Sequence, residues 1–135
     1  MNHLSAVSRL SLAFAMGVLV SSAARAEDDA AARLARWHDL RQSIFGDRTV
    51  ANGDDKIAIE APVRALDAAL VPVTITVKAP QEVKGIYLTI DDNPAPLAAH
   101  IVFGPAGDAS TLKVRIRIDQ YTLLHAIEET TTGEL

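Results

Sequence analysis

The chain has 135 residues, a formal net charge of −4 at pH 7 and no cysteine. Without cysteine, these residues cannot form a disulfide, a thiolate metal site, a haem attachment through Cys or a Cys nucleophile. The charge is mild and the basic residues are dispersed, whereas a nucleic-acid surface needs clustered cations with aromatic platforms. We therefore expect no nucleic-acid partner.

The first 26 residues have the three parts of a secretory signal peptide. Residues 1–9 carry one Arg and no acidic residue, and residues 10–20 are all small or apolar. This apolar run is too short to cross a bilayer as a stable helix. The Ala-Arg-Ala sequence that ends at Ala26 fits a signal-peptidase site. Residues 1–26 are thus predicted to be removed on export, which leaves a periplasmic protein with no membrane attachment.

An amphipathic helix is predicted over residues 27–46, because apolar residues recur there at helical spacing. The recurring residues are Ala30, Leu34, Trp37, Leu40 and Ile44. Gly46 supplies a stop, since glycine readily adopts the left-handed conformation that follows helices. We expect the apolar stripe to cover an open end or edge of the domain that follows. The alternative is a helix that binds a partner.

Residues 47–135 have the pattern of a β-domain. Apolar and polar residues alternate with a period of two, which places the apolar set on one face of each strand. The segments with this pattern are 56–61, 70–77, 84–90, 98–103, 112–118 and 121–128. Turn-forming Pro, Gly, Asn and Asp residues separate them. The predicted fold is all-β, an immunoglobulin-like antiparallel β-sandwich preceded by one N-terminal amphipathic helix.

Two features concern the limits of this sandwich. Pro72 lacks a backbone donor near the start of the second segment, so that strand should begin at an edge or be entered from a loop.

A polar turn at residues 130–133 comes after six strand segments, where an immunoglobulin-like sandwich has about seven strands. We expect one more strand. It comes either from a longer version of this polypeptide, which we favour, or from another chain.

An acidic turn is the first candidate for a metal site. Asp91, Asp92 and Asn93 offer the oxygen atoms that hard cations prefer. Their spacing fits no Ca²⁺ loop, however, and Pro94 and Pro96 follow directly. Asx residues and prolines are typical of turns, so turn chemistry is the favoured interpretation.

Catalytic motifs are absent from the sequence. His38, His100 and His125 are too isolated in sequence to be assigned as ligands or bases. Neither a nucleophile turn such as G-x-S-x-G nor a phosphate-binding glycine loop is present. We therefore predict that the chain is not an enzyme and requires no cofactor or metal.

The last candidate is a basic stripe on the fifth segment. Lys113, Arg115 and Arg117 alternate with apolar residues and therefore share one face of a strand. Such a stripe attracts an anionic or acidic partner, or it is a solvated face that discourages pairing of sheet edges. These three residues form the candidate partner-facing surface.

The order of these features resembles the SoxY sulfur-carrier domain, and most of all the SoxYZ-like carriers associated with quinoprotein dehydrogenases. The resemblance extends from about residue 37 to residue 135. Its features are the helix ending at 44–47, the Val-rich strand 70–77, the Asp-Asp-Asn-Pro-Ala-Pro turn at 91–96, the basic strand 113–117 and the segment 121–129 before a Gly turn.

The resemblance implies a sandwich that carries sulfur intermediates in thiosulfate oxidation and does not catalyse their conversion. It also implies a flexible Gly-Gly-Cys tail that holds the adduct, and a SoxZ-like domain or protein as partner. This sequence contains no Cys, so we expect a carrier domain truncated before its tail and before the SoxZ-like part. The alternative is a small immunoglobulin-like adaptor that binds a periplasmic quinoprotein dehydrogenase or its cytochrome partner.

Overall fold

The structure is a computed structural model that describes residues 16–135, with side chains described from residue 29 onward. The chain divides into two compact units, one ending at His38 and the other running from Asp39 to Leu135. The first 15 residues of the predicted signal peptide lie outside the described residues. In the described part of the chain, no helix is both long and apolar enough to cross a membrane.

Helix α1 (Met16–Phe45) begins before the predicted start at residue 27. The residues before Glu27 are rich in Ala, Val and Leu, so helix propensity does not favour a break there. The predicted end is confirmed. Gly46 has a φ of 61°, and its N–H donates to the carbonyl of Gln42 at 2.9 Å. This is the left-handed closure that glycine permits at low cost.

The six predicted strand segments all form strands, and every pairing between them is antiparallel. The strands are β1 (Ile57–Glu60), β2 (Val71–Val77), β3 (Val83–Ile90), β4 (Leu97–Val102), β5 (Thr111–Ile116) and β6 (Leu124–Thr130). One sheet has the order β1-β2-β5 and the other β4-β3-β6. Two antiparallel sheets preceded by a helix confirm the predicted all-β, immunoglobulin-like sandwich.

The core is built from alternate residues of the two central strands. Val73 and Ile75 of β2 are at most 1% exposed, and Ile86 and Leu88 of β3 are fully buried. These side chains belong to one cluster of packed apolar residues, which the inward residues of the other strands surround. Removal of this apolar surface from water is the main force that holds the two sheets together.

Pro72 lies in a central strand, where proline is normally excluded. The N–H of Lys78 donates toward β1, to Lys56, and that of Val77 donates toward β5, to Ser110. By alternation, the nitrogen of Pro72 faces the β1 side. The pairing with β1 ends at Thr74, so the missing N–H costs no ladder bond. A 3₁₀ turn delivers the chain to β2, which confirms entry from a loop.

The end of helix α1 packs on the outer face of a sheet. Tyr87 alternates with the core residues Ile86 and Leu88, so its ring points away from the sandwich interior. Phe45 is 5% exposed and meets this ring edge-on, with 5.0 Å between ring centroids. Phe45 therefore places the end of the helix on an outer sheet face, and the expectation that the apolar stripe covers an open end or edge stays a prediction.

We expect Leu88→Ala to lower the free energy of unfolding by about 2–5 kcal/mol, because it leaves a cavity between the sheets. The matched control is Thr76→Ala at an exposed position of β2, where changes usually stay within about 0.5 kcal/mol. Urea denaturation measures both values. Equal losses in the two variants would contradict this placement of the core.

Candidate functional site

The basic stripe lies on a terminal strand of its sheet. Lys113 and Arg115 of β5 are exposed, and Arg117 follows directly after the strand and is also exposed. The alternate residues, Leu112 and Val114, pack against the core. The three basic side chains therefore share an outward face, as their spacing predicts.

The three cations differ in their pairing. Nε of Arg117 lies 2.7 Å from Oδ1 of Asp119. The backbone of residues 117–119 is held in place by the side chain of Asn93. The side-chain amide of Asn93 donates to the Arg117 carbonyl at 2.8 Å, and its Oδ1 accepts from the Asp119 N–H at 3.2 Å. Lys113 and Arg115 have no ion-pair partner among the described residues. The uncompensated positive charge of the stripe is thus carried by Lys113 and Arg115.

The acidic turn after β3 is tied to neighbouring loops. Asp91 has a side chain only 3% exposed, and its Oδ2 lies 3.2 Å from Nε2 of His125. The backbone N–H of Asp92 donates to the hydroxyl of Thr122 at 3.0 Å. With the two bonds of Asn93, these contacts fit the favoured interpretation of this segment as a turn that joins adjacent loops.

The histidines lie in separate settings. His125 on β6 contacts Asp91, whereas His100 on β4 stacks on Tyr87 with 3.9 Å between ring centroids. His38 is an exposed residue of helix α1. Among the described residues, no group of three or more His, Cys, Asp or Glu side chains is arranged to hold a metal ion.

An ion cluster around the buried carboxylate of Glu129 was not predicted from the sequence. Glu129 is 8% exposed, and its Oε1 lies 3.1 Å from Arg48 and 3.4 Å from Lys84. The hydroxyl of Tyr87 donates to Oε2 at 3.2 Å. Arg48 also donates to the carbonyl of Gly133 at 3.0 Å. The cluster therefore ties the segment before β1 to β3, β6 and the turn after β6.

The surroundings of Glu129 favour its charged form. Burial raises the pKa of this carboxyl, but the hydrogen bond from Arg48, the charge of Lys84 and the hydroxyl of Tyr87 together outweigh it. The pKa of Glu129 is therefore lowered from its ordinary value. At neutral pH the carboxylate is ionised and neutralises part of the charge of Arg48 and Lys84.

The family of this chain follows from comparison with known proteins. The family model described as "Sulfur oxidation protein SoxY" matches residues 41–135, which is more than half of the chain and includes all six strands. The chain belongs to the SoxY family. Among solved structures, it resembles the sulfur carrier protein SoxY from Chlorobium limicola f thiosulfatophilum, with a TM-score of 0.59 and 23% sequence identity. That likeness covers 75% of this chain and 88% of the other, and at this identity it shows the fold.

Comparison with curated proteins gives no match. Both the basic stripe and the Glu129 cluster lie within the SoxY match, so both are parts of the family domain. The greater part of helix α1 lies before the match. The resemblance predicted from the motif order is confirmed at the level of the SoxY domain.

We expect Glu129→Gln to destabilise the SoxY domain at pH 7 by about 1–3 kcal/mol, because Arg48 and Lys84 lose their charged acceptor. Since the folded pKa is lowered, ionised Glu129 stabilises the native state fully above the unfolded value of about 4.3. This contribution is lost as the pH falls through the folded pKa. The difference in the free energy of unfolding between wild type and Glu129→Gln should therefore become smaller at acidic pH.

Urea unfolding at pH 7 and at several acidic pH values measures this dependence. Glu60→Gln is the control, since Glu60 is an exposed carboxylate on β1, and it should cause a small loss throughout. The free energies of unfolding of wild type and Glu129→Gln are compared at each pH. If their difference stays constant as the pH falls, the charge of Glu129 does not stabilise the fold.

Proposed function

We propose that this chain is a periplasmic, non-catalytic SoxY domain that acts in sulfur oxidation by docking to partner proteins. The observation that carries this proposal is the SoxY family match across the whole β-sandwich. The similar solved structure is that of a sulfur carrier protein, and a carrier binds its cargo for other proteins to use. The signal-peptide pattern of residues 1–26 supports export to the periplasm.

Covalent sulfur attachment is not assigned to residues 1–135. The SoxY resemblance implies attachment to a Cys on a Gly-rich tail, because a thiolate on a flexible arm is nucleophilic and reaches several sites. This sequence has no Cys. We therefore assign to these residues the scaffold and docking roles of the carrier.

A SoxZ-like protein or domain is the proposed partner, and the Lys113–Arg115 face is its proposed contact. Both side chains are exposed and have no ion-pair partner among the described residues, so an acidic partner would break no internal pair. Complementary charge speeds the encounter and selects the partner. Arg117 contributes less, because Asp119 already neutralises it.

The second candidate function is an adaptor for a periplasmic quinoprotein dehydrogenase or its cytochrome partner. The observation in its favour is the same pair of uncompensated cations, because docking by charge requires no carrier residue. The identity of the protein that binds the Lys113–Arg115 face distinguishes the two functions.

We expect the purified domain to bind a SoxZ-like protein, and Arg115→Glu to weaken binding by about fivefold or more. Reversal of one exposed interfacial charge costs roughly 1 kcal/mol. Lys78→Glu is the control, since it reverses another exposed cation next to β2. Titration calorimetry at low and high salt measures both effects. Equal weakening by the two variants rejects the proposed face.

The two functions and the absence of catalysis are tested with the same protein. Binding to a quinoprotein dehydrogenase or cytochrome without binding to a SoxZ-like protein favours the adaptor. Incubation with thiosulfate should give no turnover, because the sequence has no nucleophile motif and the described residues form no group that could hold a metal ion. Turnover that scales with protein concentration contradicts the non-catalytic assignment.

A further inference from the structure

Two loops at one end of the sandwich expose large apolar side chains. The first loop is residues 61–70, between β1 and β2, and the second is residues 117–123, between β5 and β6. Eight large apolar or aromatic side chains are exposed in the described part of the chain, and five of them lie in these loops: Val63, Leu66, Leu70, Tyr121 and Leu123. Such a concentration of exposed apolar side chains is typical of a surface that binds another molecule.

The two loops contact each other and enclose a groove. The N–H of Ile118 donates to the carbonyl of Ala68 at 2.9 Å, and Nε of Arg64 donates to the hydroxyl of Tyr121 at 3.3 Å. The groove has a volume of about 270 Å³, and its apolar lining includes Val63, Ala65, Val71, Ile118 and Leu124. Sites for drug-sized ligands have about 300–1,000 Å³, so this groove is better suited to one large side chain.

Arg64 gives the groove a positive charge. Its side chain is exposed and has no ion-pair partner among the described residues. Asp119, the acidic residue of the lining, is already paired with Arg117. An occupant that brings a carboxylate to Arg64 therefore breaks no internal ion pair. Arg and Tyr are also the residue types at which truncation most often weakens a protein interface.

The groove adjoins the Lys113–Arg115 face. Pro72, which pairs with Arg115, directly follows the groove residue Val71. Ile118, on the other wall, lies three positions after Arg115. Three residues of extended chain span about 10 Å, so a single partner surface reaches both the cation and the groove.

We propose that the partner that docks on the Lys113–Arg115 face also inserts one large apolar side chain into this groove and places a carboxylate against Arg64. This inference rests on the proposed function and specifies the chemistry of its partner. The inserted side chain, such as Leu or Phe, covers Val63 and Leu66, and acidic residues beside it face the cations. An apolar centre with a polar rim is the usual composition of a protein interface.

A second copy of this chain is less suited to the groove. The same cations would meet one another in a symmetric contact, since Arg64, Lys113 and Arg115 all lie on or beside this surface. Like charges that face each other across an interface oppose binding. An acidic partner avoids this repulsion.

The test measures how fast a SoxZ-like protein associates with variants of the whole chain and dissociates from them, by surface plasmon resonance. Val63→Ser should raise the dissociation rate about fivefold or more, because loss of an apolar contact acts mainly on dissociation. Arg115→Glu should slow association instead, and added salt should reduce that effect. The matched control is Val102→Ser on β4 of the other sheet, which should leave both rates unchanged.

A second pair of variants tests the carboxylate contact. Arg64→Gln should weaken binding about threefold, whereas Arg64→Lys should retain most of the affinity, since Lys keeps the charge. Equal affinities of these two variants overturn the contact at Arg64. Thermal unfolding checks that every variant folds.

The outcomes separate this proposal from the proposed function. Equal dissociation rates of Val63→Ser and Val102→Ser overturn the insertion into the groove, even where Arg115→Glu weakens binding and the docking face stands. Absence of binding to a SoxZ-like protein rejects the proposed partner and the groove contact together. A dimer of this chain that Val63→Ser dissociates, measured by analytical ultracentrifugation, also overturns the proposal.

Discussion

The domain depends on the burial of two facing rows of side chains, one from β2 and one from β3. Each strand is central in its sheet, and each places every second residue in the shared interior. Each row of side chains is buried by the other row, because a three-stranded sheet cannot cover its own apolar face. The positions of β1, β4, β5 and β6 then follow from pairing with these two strands, and so do the sheet edges where the candidate surfaces lie.

The outer face of the β3 sheet is held by polar contacts as well. Glu129 joins Arg48, Lys84 and Tyr87 on this face. Phe45 meets the Tyr87 ring in an edge-to-face contact, and His100 stacks on the same ring. Each ion here is partly removed from water, so the cluster stabilises the fold only while all members are present and correctly charged. It also fixes the turn at Gly133, which follows β6.

The proposed docking face lies at one edge of the sandwich. The edge strand β5 carries exposed cations on a solvated face, which suits encounter with a charged surface. The family match includes this strand, so these cations are part of the SoxY domain.

Local sequence patterns were sufficient to predict the strand segments, the end of helix α1 and the common face of Lys113, Arg115 and Arg117. These are local properties: alternation, glycine stops and turn residues act between near neighbours. Motif order was enough to indicate the SoxY family. The partners of Glu129 and the unpaired Oε2 of Glu128 depend on the tertiary fold, because strand order brings together residues that are far apart in sequence. Glu128 and Glu129 are adjacent on β6 and look alike in sequence, yet Glu129 meets three donors on the outer face of the sheet and Glu128 points toward the sandwich interior. Alternation places the two side chains on opposite faces.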